Sequence, residues 1–594
     1  MKRWTAFVAM TLLVSACLPF GDDEPTFGDS GGTVDVPSGC REIPAHVSSE
    51  KMTLITALAE EFNATEPEVD GECFGISVYR TASGRGADLL AGGWSEEETS
   101  DPAPVLWSPA SAAWGAVVNQ RLDEQGLPPV TGDSERIMLT PLVLAMPEPM
   151  AEALGWPEAD IGWADVLELS QNPEGWGAVD HPEWGAFKLG KTNPNFSTSG
   201  LSATIAIYSA ATGTTAPLTL ADIESPDVVE FVRGVENATV HYGDTTLTFL
   251  DNMLREDLNG RPLTYASAVA VEEVSVIAYN RGDPADTGEA STPPNVPLVA
   301  IYPEEGTLFS DNPAFILDAE WVDDIDRQAA QMFVDFVVED PENQQRVLEF
   351  GFRPGNPSVA IGDPITRENG LDPSQPETEL QVPEPSVLAA LIDSWEENRK
   401  TARVIMLLDV SGSMADLGGE GFTKLDLAKQ AVLASLDAFK DDDEVGLWVF
   451  STRLQGDDQD WLEMVPVAPL SQNRSEFETR VRGLLADGGT GLYDSTSAAV
   501  TAVRESFDTS KINAVILLSD GVCDDYDDGC NIEPLLNQLS SNERDPVRVF
   551  TVAYGSDADV AALEQIAETS QARPYQAIDP SQIDAVFQQV ISNF

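Results

Sequence analysis

The chain has 594 residues, 42% of them hydrophobic, enough for sizeable cores in two or more domains. Asp and Glu number 100 against 33 Lys and Arg, giving a net charge of −67. So acidic a surface repels nucleic acid and anionic head groups, which argues against both as partners.

At the N-terminus, Met1-Lys-Arg-Trp4 precedes an apolar run from Ala6 to Val14 and then Val14-Ser-Ala-Cys17. A basic start, a short apolar core and small residues read as a secretory signal, too short for a membrane span. The cysteine directly after Ser-Ala resembles a bacterial lipoprotein box. That resemblance implies lipidation of Cys17 and anchorage at the outer face of the cell membrane or in the periplasm. Residues 18–38 are rich in Gly, Asp, Pro and Ser and read as a flexible tether. Setting Cys17 aside leaves Cys40, Cys73, Cys523 and Cys530, an even number in an exported chain. That arithmetic favours two disulfides, and domain membership favours Cys40–Cys73 with Cys523–Cys530. A metal site at Cys523 and Cys530 is the weaker alternative, because no His lies near them.

Residues 39–355 alternate short apolar strands with amphipathic helical stretches and show no internal repeat, as an α/β domain should. His46-Val-Ser-Ser49 leads into a helical pattern over Met52–Phe62. Ala103–Trp107 reads as a strand, Ser108–Ser111 as a helix cap, and Pro341–Gly351 as a late helix with a turn. Three segments, Trp107-Ser-Pro-Ala-Ser111, Thr192-Asn-Pro-Asn-Phe-Ser-Thr-Ser-Gly200 and Tyr302-Pro-Glu-Glu-Gly-Thr307, stand out with the tail Gln344–Pro354. Together they resemble the two-lobe solute-binding proteins of bacterial uptake systems. The resemblance implies a ligand cleft between lobes, held by strand ends and helix N-termini.

The hydroxyl-bearing candidates for that cleft are Ser48, Ser49, Ser83, Ser108, Ser197, Thr198 and Ser199. Ser-rich helix starts offer free N–H groups and partial positive charge, so a small oxyanion is the expected ligand class. Plain helix capping is the competing reading for each. Arg85 and Lys191 stand near these segments and would add charge. His46, His181 and His241 lie in turn-like segments, where surface or capping roles are expected. No nucleophile elbow, phosphate loop or zinc-protease pattern occurs, so no enzyme is expected.

Residues 356–384 are rich in Pro, Gly, Asp and Glu and read as a linker, and Val387–Lys400 as an amphipathic connecting helix. An apolar run, Val404–Leu408, then ends in Asp409-Val-Ser411-Gly-Ser413. A buried parallel strand would thus present one carboxylate and two hydroxyls on one loop, a hard-oxygen set suited to Mg²⁺. Gly488-Gly-Thr490-Gly supplies a loop hydroxyl, and Ala514–Ser519 is a second buried strand ending in Asp520-Gly521.

Asp409, Ser411, Ser413, Thr490 and Asp520 together resemble the metal-ion-dependent adhesion site of the von Willebrand factor A domain, over residues 401–594. The resemblance implies a doubly wound, mainly parallel Rossmann-like sheet holding Mg²⁺ (or Mn²⁺ or Ca²⁺), whose coordination a protein partner's carboxylate completes. The acidic stretch Asp524–Gly529 would sit at the rim of that site, pinned by a disulfide. The expected function is a tethered extracytoplasmic binding protein with a cleft ligand and a metal-bridged partner. A conventional uptake component with an accessory A domain, or a structural or adhesive surface protein, is the alternative.

Overall fold

The computed structural model describes residues 34, 36–95, 99–243, 245–285, 292–419, 421–454, 459–525, 530–541 and 547–594. Cys17, the signal segment, nearly all of the expected tether and residues 526–529 of the acidic loop lie outside them.

Ile43, Ala45 and Val47 occupy alternate, buried positions of Arg41–Val47, which forms the centre of a first sheet. It runs parallel to Glu72–Arg80 on one side and Leu106–Ser108 on the other. The full order is Glu68–Val69, Glu72–Arg80, Arg41–Val47, Leu106–Ser108, Pro313–Ile316, Glu135–Arg136. Helix Met52–Asn63 covers it and buries Phe62 against Phe74, Phe333 and Phe336 at ring distances of 6.0, 5.3 and 5.4 Å.

A second sheet is built on the long strand Met138–Pro147, which pairs with Phe309–Ser310, Ala268–Glu272, Leu298–Ile301 and Arg353–Pro354. The chain passes between the lobes twice in antiparallel register. Glu135–Arg136 pairs with Pro313–Ala314 in one lobe, and Thr140–Pro141 with Phe309–Ser310 in the other. Ile137 N donates to Asn312 O between them. Two such crossing strands make a hinge. Helix Pro341–Phe350 lies on the first lobe, where Arg346 pairs with Glu61 at 2.5 Å, and the chain then crosses once more to pair Arg353–Pro354 with Met138–Leu139 in the second sheet.

The C-terminal unit is a six-stranded sheet ordered Trp461–Pro469, Glu444–Phe450, Ala402–Asp409, Ile512–Ser519, Arg548–Tyr554, Pro574–Ala577. Every pair is parallel except the edge pair of Trp461–Pro469 with Glu444–Phe450. Val404, Met406 and Leu408 pack into one core and Ile405 and Leu407 into another, so both faces are covered by helices. Because Ala402–Asp409 is followed in sequence by its neighbour on one side and later by its neighbour on the other, its carboxyl end is a topological switch point.

Connecting helix Pro385–Asn398 buries Trp395 against Tyr242 of the second lobe, ring centroids 5.2 Å apart. Both disulfides, Cys40–Cys73 and Cys523–Cys530, are formed. Among the described residues no helix is long and apolar enough to cross a membrane.

The histidines depart from expectation. His46 lies in the central strand of the first lobe, fully buried, with Nδ1 2.8 Å from Thr81 Oγ1 and Nε2 2.9 Å from Pro102 O. His241 is buried with Nε2 2.8 Å from the Tyr265 hydroxyl. Both rings are hydrogen-bonded at each nitrogen, which makes core burial tolerable. Burial lowers their pKa values to about 4 and about 3, so both are neutral near pH 7. Only His181 has the expected surface role, beside Glu183 at 2.9 Å.

Candidate metal centre and interlobe cleft

Parallel strands buried on both faces deliver Asp409 and Ser519-Asp520 side by side at the sheet's carboxyl edge. Asp409 is fully buried: Oδ1 accepts from Ser411 N at 2.8 Å and Oδ2 from Ser519 Oγ at 2.7 Å. Ser411 Oγ lies 3.0 Å from Ser413 Oγ, and Ser413 Oγ donates to Asp520 Oδ1 at 2.7 Å. Four of the five expected positions are therefore joined by one hydrogen-bond chain.

Thr490 completes the group. A Cβ placed on Gly521 would sit 3.1 Å from Thr490 Oγ1 and 3.7 Å from Ser413 Oγ, so both hydroxyls face that glycine. Gly488 makes the approach possible: its φ of +86° and the 2.4 Å from a would-be Cβ to Ser451 Oγ exclude any side chain. Gly412 N donates to Gly488 O at 2.9 Å and locks the first loop to the second.

Burial, and then the nearby Asp520, pushes the Asp409 carboxyl up to about 6. A divalent cation would reverse that shift, since it favours the ionised form. Two carboxylates and three hydroxyls form a hard-oxygen set that fits Mg²⁺ or a related ion. Among the described residues no three His, Cys, Asp or Glu converge on a metal position, so hydroxyls are indispensable to this set.

Sequence reasoning missed two members. Ser519, the last residue of its strand, orients Asp409. Lys424, the first residue of helix Lys424–Ser435, places Nζ 2.9 Å from Asp520 Oδ2 with its side chain 7% exposed. Nothing in the helical pattern of Lys424-Leu-Asp-Leu-Ala-Lys429 separates this lysine from a surface one. The rim carries further acid. Burial, and then the nearby Asp525, raises the carboxyls of Asp460 and Asp494, and Asp494 adds to the effect on Asp460. Asp524 N donates to Thr490 O at 3.0 Å and ties the acidic loop to the site.

In the N-terminal unit the lobes meet closely. Gly84 N donates to Phe196 O at 3.1 Å, and Trp114 Nε1 to Thr198 Oγ1 at 2.8 Å. A Cβ on Gly84 would fall 2.5 Å from Asn195 O, so only glycine admits this contact. Between the lobes remains a cavity of about 40 Å³ lined by Ser48, Ser49, Ser83, Ser197, Thr198 and Ser199, together with Glu50, Thr245, Thr246 and Glu272. Six of the seven expected cleft residues are thus gathered.

The seventh is not in that lining: Ser108 is buried at its strand end, and its Oγ has no hydrogen-bond partner among the described residues. Lys191 also departs from expectation. It turns away from the cleft into the boundary with the C-terminal unit, paired with Glu236 at 3.0 Å, both side chains fully buried. Among the described residues neither lysine nor arginine lines the cavity. Its charged groups are carboxylates instead. Glu272 accepts from Ser199 Oγ at 2.5 Å, and burial, then Glu50, raises it to about 7. Lys51 sits behind Glu50 at 3.7 Å, held by Asn312 Oδ1 at 2.7 Å and Pro109 O at 3.1 Å.

With this geometry in place, residues 404–589 match the von Willebrand factor type A domain family. The C-terminal unit is an A domain. Across both units the chain is similar to the uncharacterized protein Rv1836c of Mycobacterium tuberculosis, 23% identical over 521 residues, covering 86% of this chain and 70% of that one. Among solved structures it resembles a von Willebrand factor type A protein from Catenulispora acidiphila, at 20% identity and a TM-score of 0.27. That alignment spans 32% of this chain and 42% of the other, less than half the length of that structure. Neighbours over the N-terminal region are periplasmic binding proteins. A periplasmic thiamin binding protein aligns over 62% of this chain and 99% of its own, at 14% identity and a TM-score of 0.40. AfuA from Actinobacillus pleuropneumoniae aligns over 61% and 99%, at 15% identity and a TM-score of 0.39.

Proposed function

We propose that the protein is an extracytoplasmic receptor with two binding sites and no catalytic one. A small ligand is taken into the interlobe cleft. A protein partner docks on the A domain by adding a carboxylate to a divalent cation, preferably Mg²⁺, held by Asp409, Ser411, Ser413, Thr490 and Asp520. Bound there, the ion supplies a strong, directional contact for an anionic group. Lipidation of Cys17 and residues 18–38 would tether the receptor to the outer face of the membrane.

The observation that carries this reading is the hydrogen-bond chain from Ser519 through Asp409, Ser411 and Ser413 to Asp520 at a switch point of the sheet. The test is capture of partners from the exported fraction by the tethered protein, with and without a chelator, against the Asp409→Ala variant. Capture that survives both treatments removes the metal-bridge reading.

The cleft's chemistry shifts the expected ligand class. Hydroxyls and helix starts suit an oxyanion, but Glu50 and Glu272 face the same cavity with no lining cation to oppose them. Glu50, with Glu272 in the fraction that is ionised, disfavours an anion there, and Lys51 behind Glu50 offsets only part of this. A ligand bearing a cationic group therefore fits better than an oxyanion. The tight junction of A domain and second lobe also speaks against a loosely attached accessory module.

A further inference from the structure

Lys424 has no place in the expected ligand set, yet it is built into the site. Its ammonium bonds Asp520 Oδ2 at 2.9 Å, while Ser413 occupies the other oxygen at 2.7 Å. Its backbone carbonyl accepts from the Tyr554 hydroxyl at 2.9 Å, and the helix it begins is capped by Thr423, which accepts from Asp426 N at 3.1 Å. Gly555, at φ +81°, makes room for it: a Cβ there would lie 3.1 Å from both Lys424 Cε and Nζ.

Helix stability does not explain the residue. A cation in the first turn opposes the helix dipole, which favours acidic side chains there. Burial of the ammonium is unfavourable as well, unless its partner makes it worthwhile.

We infer that Lys424 is a resident counter-cation that sets the charge of the metal site and tunes it toward anionic partners. This rests on reading Asp409 to Asp520 as that site. Two carboxylates and one ammonium leave the site at one net negative charge. A divalent cation brings it to one net positive charge, whereas without the lysine it would be neutral. Lys424 therefore weakens the hold on the metal and strengthens the attraction for an incoming carboxylate.

Titration calorimetry of the full exported chain with Mg²⁺ alone, in chloride and in acetate buffer, tests this. Lys424→Met is expected to bind Mg²⁺ about tenfold more tightly than the parent in chloride. By linkage, acetate should tighten Mg²⁺ binding in the parent and do so less in the variant. Lys424→Arg, which keeps the charge, should behave like the parent. If Lys424→Met does not fold, Lys424→Gln is measured in its place, with the same expected direction. Mg²⁺ affinity that is unchanged or weaker in a folded neutral variant overturns the counter-cation role while leaving the metal site standing. No Mg²⁺ binding by the parent overturns the metal site itself, and this inference with it.

Discussion

Asn193 Nδ2 donates to the carbonyl of Ser592 at 3.3 Å, joining positions 399 residues apart. The contact ties the second lobe to the end of the last helix of the A domain, and it is reinforced nearby. Asn193 N donates to Gly243 O at 2.8 Å, and Tyr242 N to Asn593 O at 3.0 Å. The same two segments reach the cleft, where Ser197, Thr198, Ser199, Thr245 and Thr246 line the cavity. Cleft and A domain thus share backbone.

The core of that junction is the buried pair Lys191–Glu236, with Lys191 Nζ 5.0 Å from the Trp395 ring centre and the Tyr242 hydroxyl donating to Glu236 Oε2 at 2.8 Å. Lys191→Met leaves a carboxylate buried without its cation, a loss on the order of 3–5 kcal/mol. The expected result is a clear drop in the urea midpoint. Lys191→Met combined with Glu236→Gln should recover much of it, and a double variant as unstable as the single one would show that the pair is not the cause.

Trp114 Nε1 to Thr198 Oγ1 is a direct side-chain bond between lobes. Trp114→Phe keeps most of the ring's packing and removes the donor, a change of about 1 kcal/mol. Lobe closure should weaken, read as a larger radius of gyration by small-angle X-ray scattering in the unliganded protein. An unchanged radius would place closure in other contacts, such as Gly84 with Phe196.

Glu272 links stability to pH. Its carboxyl is raised to about 7 by burial and then by Glu50, against an ordinary value of 4.5. Between those values the folded chain keeps a proton that the unfolded chain has lost, so stability falls as pH rises through this window. Asp409, raised to about 6, contributes in the same sense. His46 and His241, lowered by burial from 6.5 to about 4 and about 3, act oppositely over an overlapping range: their stabilisation is lost as pH falls below about 6.5. Relative to the parent, Glu272→Gln should lose less stability as pH rises from about 4.5 to about 7, a difference of roughly 2–3 kcal/mol between the two profiles. A parent and variant with parallel pH profiles would show that Glu272 is ionised in the folded protein.

Much of this was legible in the sequence where the signal was local. The apolar runs ending in Asp409 and Asp520 could only be parallel strands covered on both faces, and their terminal residues had to meet at one sheet edge. The helix starts at Ser83 and Thr198 pointed to a cleft for the same reason. Residues whose role depends on what lies across the fold were not legible. Glu50 and Glu272 look like any acid in a chain with 100 of them, and only the closed lobes bring both to one cavity. Lys191 looked like cleft charge because it precedes the Ser-rich segment, yet the strand Leu189–Gly190 aims it at the opposite boundary. His46 and His241 were misread because flanking polar residues resemble turns, while their hydrogen-bond partners, Thr81 and Tyr265, lie far along the chain.

The most direct measurement is Mg²⁺ titration calorimetry on the parent and on Asp409→Ala, paired with thermal unfolding in chelator and in Mg²⁺. The parent should bind one Mg²⁺ and unfold at a higher temperature when it is present, since a ligand that binds only the folded state stabilises it. Asp409→Ala should lose both the binding heat and the thermal shift. A parent with neither effect, or a variant that keeps both, would contradict a metal-bridged docking site at Asp409.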